Sequence, residues 1–455
     1  MDRTTELLSA YACDLTYDDL PVEVVHQVKR TVIDTMGCAL GGFHAEPSRI
    51  ARHLAQTTSC APPSRILGTA CGSSPDMAGF ANGVMVRYLD YNDSYFSPGG
   101  GHPSDVIAAV LALADPRGCD GRTVITAIVV AYEVFCRLSD QVVVSNLGWD
   151  QGMLSVIGSV CAAGKVMGLD REAMGHAISL ASVSNVPLGA IRVGELSMWK
   201  GCATANATRA AIFSAQLAEQ GMTGPEAPLD GRRGLWQQAV GQAVEIDPFD
   251  NAQTGFRIMS TIFKHYPSQI HTQGPIGLAL DLRSQVDPSD IAAIHIRSYR
   301  AATSSAATEP EKWAPKTRET ADHSIPYLVA YALQHGAITP HSFTAEGLQD
   351  PAVRALIGTM RIDEDTTFTE RFCDEYNCQM EVTTRSGQRL SAAVTHPKGH
   401  WCNPLSDAEV ESKFRALATE VMPGEQCDAA LQQLWSLEQA TTLQPMLDRL
   451  IVAEA

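Results

Sequence analysis

Thr123-Val-Ile-Thr-Ala-Ile-Val-Val-Ala-Tyr-Glu-Val-Phe-Cys-Arg137 is apolar nearly all round. A helix with one wet face shows a narrower apolar stripe, so one apolar on every side belongs at the centre of a helical bundle. The flanking sequence repeats the theme. Pro21 to Cys38 carries Val24, Val25, Val28, Val32, Ile33 and Met36 near helical spacing, with Pro21 in the first turn and Gly41-Gly42 at the end. Val106–Ala114 reads as a buried helix. Leu154–Met167 is rich in Gly, Ala, Ser and Cys, which lets neighbours approach closely, and Gly168 is its stop. Ala173–Val183 and Cys202–Gln220 continue the pattern, and little of it alternates with period two.

The composition changes near residue 285. Ile291–Tyr299 mixes β-branched residues with alternation, and Gln379–Thr384 and Leu390–Thr395 flank Arg385-Ser-Gly-Gln388 as a hairpin. Between them His323–Gly336 and Thr344–Gly358 look helical, and Ser406–Leu450 returns to helix. The reading is mainly α: a helical domain over 1–268, a smaller α+β unit over 269–405, and helices over 406–455 that return to the first domain.

The 34 basic and 51 acidic residues of this 455-residue chain leave a net charge of −17, which argues against nucleic acid or an anionic membrane as partner. No apolar run reaches the roughly 18–20 residues of a membrane span. The N-terminus has no charged-then-apolar signal pattern, which predicts a cytoplasmic protein. None of the 12 cysteines forms C-x-x-C, so neither a zinc site nor an iron–sulfur cluster is indicated. No dinucleotide fingerprint, Walker loop, His-Glu-x-x-His or Gly-x-Ser-x-Gly appears.

Chemistry-bearing residues gather in four segments. In Arg87-Tyr-Leu-Asp-Tyr-Asn-Asp-Ser-Tyr95, a continued Ala81–Leu89 helix would put Asp90 and Asp93 on one face. The chain then enters Phe96-Ser-Pro-Gly-Gly-Gly-His102, where three glycines permit close approach to a ligand. His102 stands at a helix N-terminus, where the dipole favours a neutral imidazole and hence a base. The second segment is Arg192 to Gly201, with Lys200 partly desolvated after Trp199. The third, Phe263-Lys-His-Tyr-Pro-Ser-Gln-Ile-His271, holds Lys264 and His271, and the fourth, Lys316 to Tyr327, holds Arg318 and His323. So many cations in an acidic chain suit a substrate with several carboxylates.

With these segments in hand the chain resembles the MmgE/PrpD family, whose best-known members are 2-methylcitrate dehydratases. The resemblance runs nearly end to end, through Asp34-Thr-Met-Gly-Cys38, Asp90 to Asp105, Gly148-Trp-Asp-Gln-Gly152, Gly194-Glu-Leu-Ser-Met-Trp-Lys-Gly201, Phe263 to His271, Thr317-Arg-Glu-Thr-Ala-Asp-His-Ser-Ile-Pro-Tyr327 and Pro397-Lys-Gly-His400. It implies an all-helical domain with an inserted α+β lid, a cleft between them, a homodimer, and no metal or organic cofactor. It implies an enzyme, a hydro-lyase acting on 2-methylcitrate or a related tricarboxylate. His102 and Asp93 would move protons, with Asp90 orienting and Lys200 as their counterpart. Ser94, Arg192, Lys264, His271, Arg318 and His323 would hold the substrate. Which of His102 and Lys200 is base and which is acid stays open. Other members decarboxylate cis-aconitate or epimerise an iminodicarboxylate, and a non-catalytic helical binding protein is a further alternative. The decarboxylase branch keeps Lys264-His-Tyr-Pro267, but carries a His where Gln269 stands, a Tyr near Ala301, and Gly-Phe-His near Gly148, where this chain continues to Gln151.

Overall fold

The computed structural model describes residues 1–452. The chain divides into two units: one comprises Met1–Ile191, Gly201–Thr261 and the chain from Ser406 on; the other comprises Arg192–Lys200 and Ile262–Leu405. Compared with the expected boundary at 268, the smaller unit thus begins a few residues earlier and takes in the short Lys200 segment.

The larger unit is built of helices. Gly121–Gln141 is buried from Val124 to Ser139, as its all-round apolar sequence requires, and packs against Gly152–Met167. The latter packs in turn against Ala203–Glu219. Val22–Gly41 starts just after Pro21 and ends at Gly42, and Gly152–Met167 ends at Gly168 in the left-handed conformation. The C-terminal helix Asp407–Ala418 opens with a capping box between Ser406 and Glu409 and buries Val410, Phe414 and Leu417. Among the described residues no helix is long and apolar enough to cross a membrane.

The smaller unit holds a four-stranded sheet in the order Met360–Glu364, Ile291–Ser298, Cys378–Thr384, Arg389–Val394. The first pair is parallel and the others antiparallel. Cys378, Met380, Val382 and Thr384 alternate inward along the central hairpin strand. The helix Gln273–Arg283 covers that hairpin and also packs on Ile325–His335.

Two local expectations change. The helix before the acid segment spans Pro75–Tyr88 and stops, because Asp90 adopts φ 51. Aspartate is one of the few residues that tolerates this left-handed geometry, and it turns the chain out of the helix before Asp93. The two carboxylates therefore do not share a helical face. The expected helix 344–358 is two, Ala345–Gln349 and Pro351–Ile357, because Pro351 cannot continue the first and Asp350 caps the second.

Candidate active site

In the larger unit the segment from Asp90 to Asp105 folds into a buried polar knot. Tyr95–Phe96 pairs antiparallel with Gly100–Gly101, and Pro103–Val106 forms a 3-10 turn that runs straight into the helix Ile107–Arg117. His102 stands immediately before that turn. Its Nδ1 lies 2.7 Å from the Asp93 carbonyl oxygen and 3.1 Å from Ser94 Oγ. A carbonyl only accepts, so Nδ1 carries the proton and donates it. In the neutral ring Nε2 then holds the lone pair, and it lies 3.8 Å from Asp90 Oδ1. A proton taken up at Nε2 would sit beside that carboxylate, an arrangement that stabilises an imidazolium.

Asp90 is itself anchored. Arg87 Nη1 donates to Asp90 Oδ1 at 2.6 Å, and Arg87 Nε lies 3.9 Å from Asp105. Asn92 donates to Asp105 Oδ1 and Ser104 Oγ, each at 2.8 Å, locking the two ends of the segment together. Asp93 is fully buried: Oδ1 accepts the Ser104 N–H at 3.0 Å and Oδ2 the Tyr132 O–H at 2.8 Å. Burial pushes its carboxyl up to about 7 against the opposing pull of those two bonds. The direct carboxylate neighbour of the histidine is therefore Asp90, while Asp93 meets His102 through its backbone. The glycines also differ from expectation. A Cβ on Gly100 would meet the Tyr95 carbonyl at 2.2 Å, and one on Gly101 would meet Gln151 Oε1 at 1.7 Å. They are needed for the hairpin and the Gln151 contact, and the protein itself fills the space they leave.

In the smaller unit Lys200 is 1 % exposed, so it is no surface lysine. Its Nζ donates to both oxygens of Asp322 at 2.8 Å, and Asp322 Oδ1 also lies 2.6 Å from His323 Nδ1. Arg192 Nη1 donates to the Lys200 carbonyl at 2.9 Å, bracing the turn that presents the lysine. Arg318 reaches the Pro340 carbonyl at 3.0 Å and lies over the Phe343 ring at 4.6 Å. Lys264 and His271 are buried in the same unit. Desolvation, then the charges of His323 and Lys264, drive the His271 imidazole down to about 3, so the ring is neutral near pH 7. Its Nδ1 is 2.8 Å from the hydroxyl of Tyr299, which burial keeps protonated.

Four residues of these knots do not stand out as site residues from the sequence alone. Arg87 and Asp322 stand inside the quoted motifs, Arg87 three residues before Asp90 and Asp322 next to His323. Tyr299 follows the Ile291–Ser298 strand directly, so a tyrosine does stand just after that strand, two residues before Ala301. Tyr132 lies on the all-apolar helix, where only its hydroxyl hinted at a polar partner. A group of residues of metal-ligating type, His396, His400 and Cys402, also comes together in the smaller unit. There His400 Nδ1 accepts the Cys402 N–H at 3.1 Å and the two imidazoles stack with their ring centroids 4.6 Å apart.

The model of the MmgE/PrpD N-terminal domain matches residues 6–246, and that of the C-terminal domain matches residues 266–437. The chain belongs to the MmgE/PrpD family. Among its MmgE/PrpD relatives, the mitochondrial 2-methylcitrate dehydratase of Yarrowia lipolytica is 28% identical over 88% of this chain and 80% of its own length. The 2-methylcitrate dehydratase of Cupriavidus necator is 26% identical over 90% of this chain and 89% of its own. The cis-aconitate decarboxylase of Homo sapiens is also 26% identical, over 95% of this chain and 92% of its own. Both reactions thus occur among MmgE/PrpD relatives at comparable distance from this chain.

Proposed function

We propose that this protein is a lyase that dehydrates 2-methylcitrate or a related citrate-like tricarboxylate without a metal or organic cofactor. The observation that carries the reading is the seating of His102, with Nδ1 2.7 Å from the Asp93 carbonyl and Nε2 3.8 Å from Asp90 Oδ1. His102 is the base that removes the proton next to a substrate carboxylate. Asp90 stabilises the imidazolium that forms, and Asp93 with Ser94 sets the ring, a different division of labour from the one the motif alone suggests. Lys200 carries the ammonium protons and gives one to the departing hydroxyl, with Asp322 orienting it. Lys264 and His323 take substrate carboxylates and offset the charge of the developing enediolate, while the neutral His271 ring contributes a hydrogen bond. Arg192 and Arg318 support these groups from behind. The same family membership supports a homodimer.

The test is turnover by chelator-treated, purified protein: an absorbing alkene should form from 2-methylcitrate or citrate. No alkene from any citrate-like acid overturns the proposal. A second reading, decarboxylation of cis-aconitate, draws support from the Tyr299–His271 bond and from the human relative. Carbon dioxide released from cis-aconitate, with no alkene from the hydroxy acids, would favour it. A product of inverted configuration from an imino- or amino-dicarboxylate would point to epimerisation. Tight binding with no turnover on any of these acids would point to a binding protein.

A further inference from the structure

The Asp407–Ala418 helix buries Val410, Phe414 and Leu417, the spacing of an inward apolar face. Lys413 sits inside that same face and is 7 % exposed. Its Nζ lies 2.7 Å from Asp34 Oδ1, on the helix Val22–Gly41, and Asp34 is 1 % exposed. The same ammonium donates to the Tyr91 carbonyl at 2.7 Å and stands 3.8 Å from the centroid of the Tyr91 ring. Gly37, one turn along from Asp34, makes the reach possible: a Cβ there would come within 3.1 Å of the Phe414 backbone.

A buried ion pair is a poor way to gain stability, since well-packed apolar side chains of similar volume often do as well or better. What this pair does that an apolar pair would not is grip a backbone carbonyl. Tyr91 follows the left-handed turn at Asp90 and lies between the two acids of the His102 knot. We infer that Lys413, held by Asp34, is a positioning residue that fixes the Asp90–Asp93 turn for proton transfer. The C-terminal helix thereby acts on the catalytic residues through Tyr91. This inference rests on the assignment of Asp90 and His102 to proton transfer.

The test compares the wild type with Lys413→Met and with the double variant Asp34→Asn/Lys413→Met, all as full chains. The double variant removes both charges, so it keeps the comparison open if the single one fails to fold. Two readouts are taken. Amide hydrogen exchange of residues 90–95, without substrate, should be on the order of tenfold faster in the double variant while the rest of the larger unit keeps its protection. With substrate, kcat should fall on the order of tenfold to a hundredfold with KM within about threefold, because a loosened turn misplaces the base without removing a substrate contact. A purely structural role predicts the opposite pattern: the double variant regains wild-type thermal stability and kcat together. Unchanged exchange at residues 90–95 overturns the inference whatever the enzyme acts on. If the wild type turns over none of the acids, the proposed reaction falls, and faster exchange in the variant still upholds the grip on the turn.

Discussion

Replacing Asp93 by Asn separates two roles that the acid segment would otherwise blur. The carboxyl is fully buried, and its ionisation is pushed from the ordinary 3.8 to about 7 by burial. In the unfolded chain Asp93 loses its proton near pH 4; in the folded chain it keeps that proton until near pH 7. Between those values the folded state binds more protons than the unfolded one, so stability falls as pH rises through this window. The full difference spans about three pH units at ~1.4 kcal/mol each, an upper value of about 4 kcal/mol, with 2–4 kcal/mol as the working range. Asn fits the same space: its amide oxygen can accept the Ser104 N–H, and its NH2 can donate to the Tyr132 oxygen. Denaturant unfolding of wild type and variant at several pH values from 4 to 8 measures the effect. The stability of the variant relative to wild type should rise by on the order of 2–4 kcal/mol across that range. Because the Asp93 carbonyl that holds His102 is backbone, kcat should stay within about tenfold of wild type, against the 10²–10⁴ expected for loss of a proton-transfer group. A stability difference that does not vary with pH would refute the buried, protonated carboxyl. A kcat loss of 10³ or so would refute the positioning role and return proton transfer to Asp93.

Asp90→Asn should lower kcat on the order of 10–100-fold with a smaller change in KM, measured by steady-state turnover, because the imidazolium loses its carboxylate neighbour. Lys200→Met leaves Asp322, 0 % exposed, without its main cation; thermal or denaturant unfolding should register a loss of about 3–5 kcal/mol. The double variant Lys200→Met/Asp322→Asn should regain most of that stability and none of the turnover, and recovered turnover would remove Lys200 from the chemistry. Tyr299→Phe deletes one hydrogen bond to His271 and should cost roughly tenfold in kcat/KM; an unchanged value would mean that His271 needs no such orientation.

The helices were legible because their burial is written as period. Val124 to Phe135 can only be central, and the Gly42 and Gly168 stops coincide with the ends of apolar runs. Pro351 was visible as a residue but not as a break, since the apolar spacing continues across it. The strand Met360–Glu364 was not legible at all: it is half exposed, lacks clean alternation, and exists through parallel pairing with Ile291–Ser298. At the site the same limit applies to charge. Asp90, His102, Lys200 and His323 stood out by motif, whereas Arg87, Asp322 and Lys413 look like ordinary solvated charges until a buried partner is found for each. The helical face expected for Asp90 and Asp93 failed at one backbone angle, φ 51 at Asp90, which nothing in an Asp-Tyr-Asn-Asp run announces.

The central claim is that His102, with Nε2 unprotonated beside Asp90, is the base of a dehydration. The most direct measurement is alkene formation from 2-methylcitrate by chelator-treated wild type and by His102→Gln under identical conditions. The account predicts steady alkene accumulation with the wild type and a 10²–10⁴-fold lower rate with the variant at similar thermal stability. Equal rates in the two proteins, or no alkene with the wild type from this or any citrate-like acid, would contradict it.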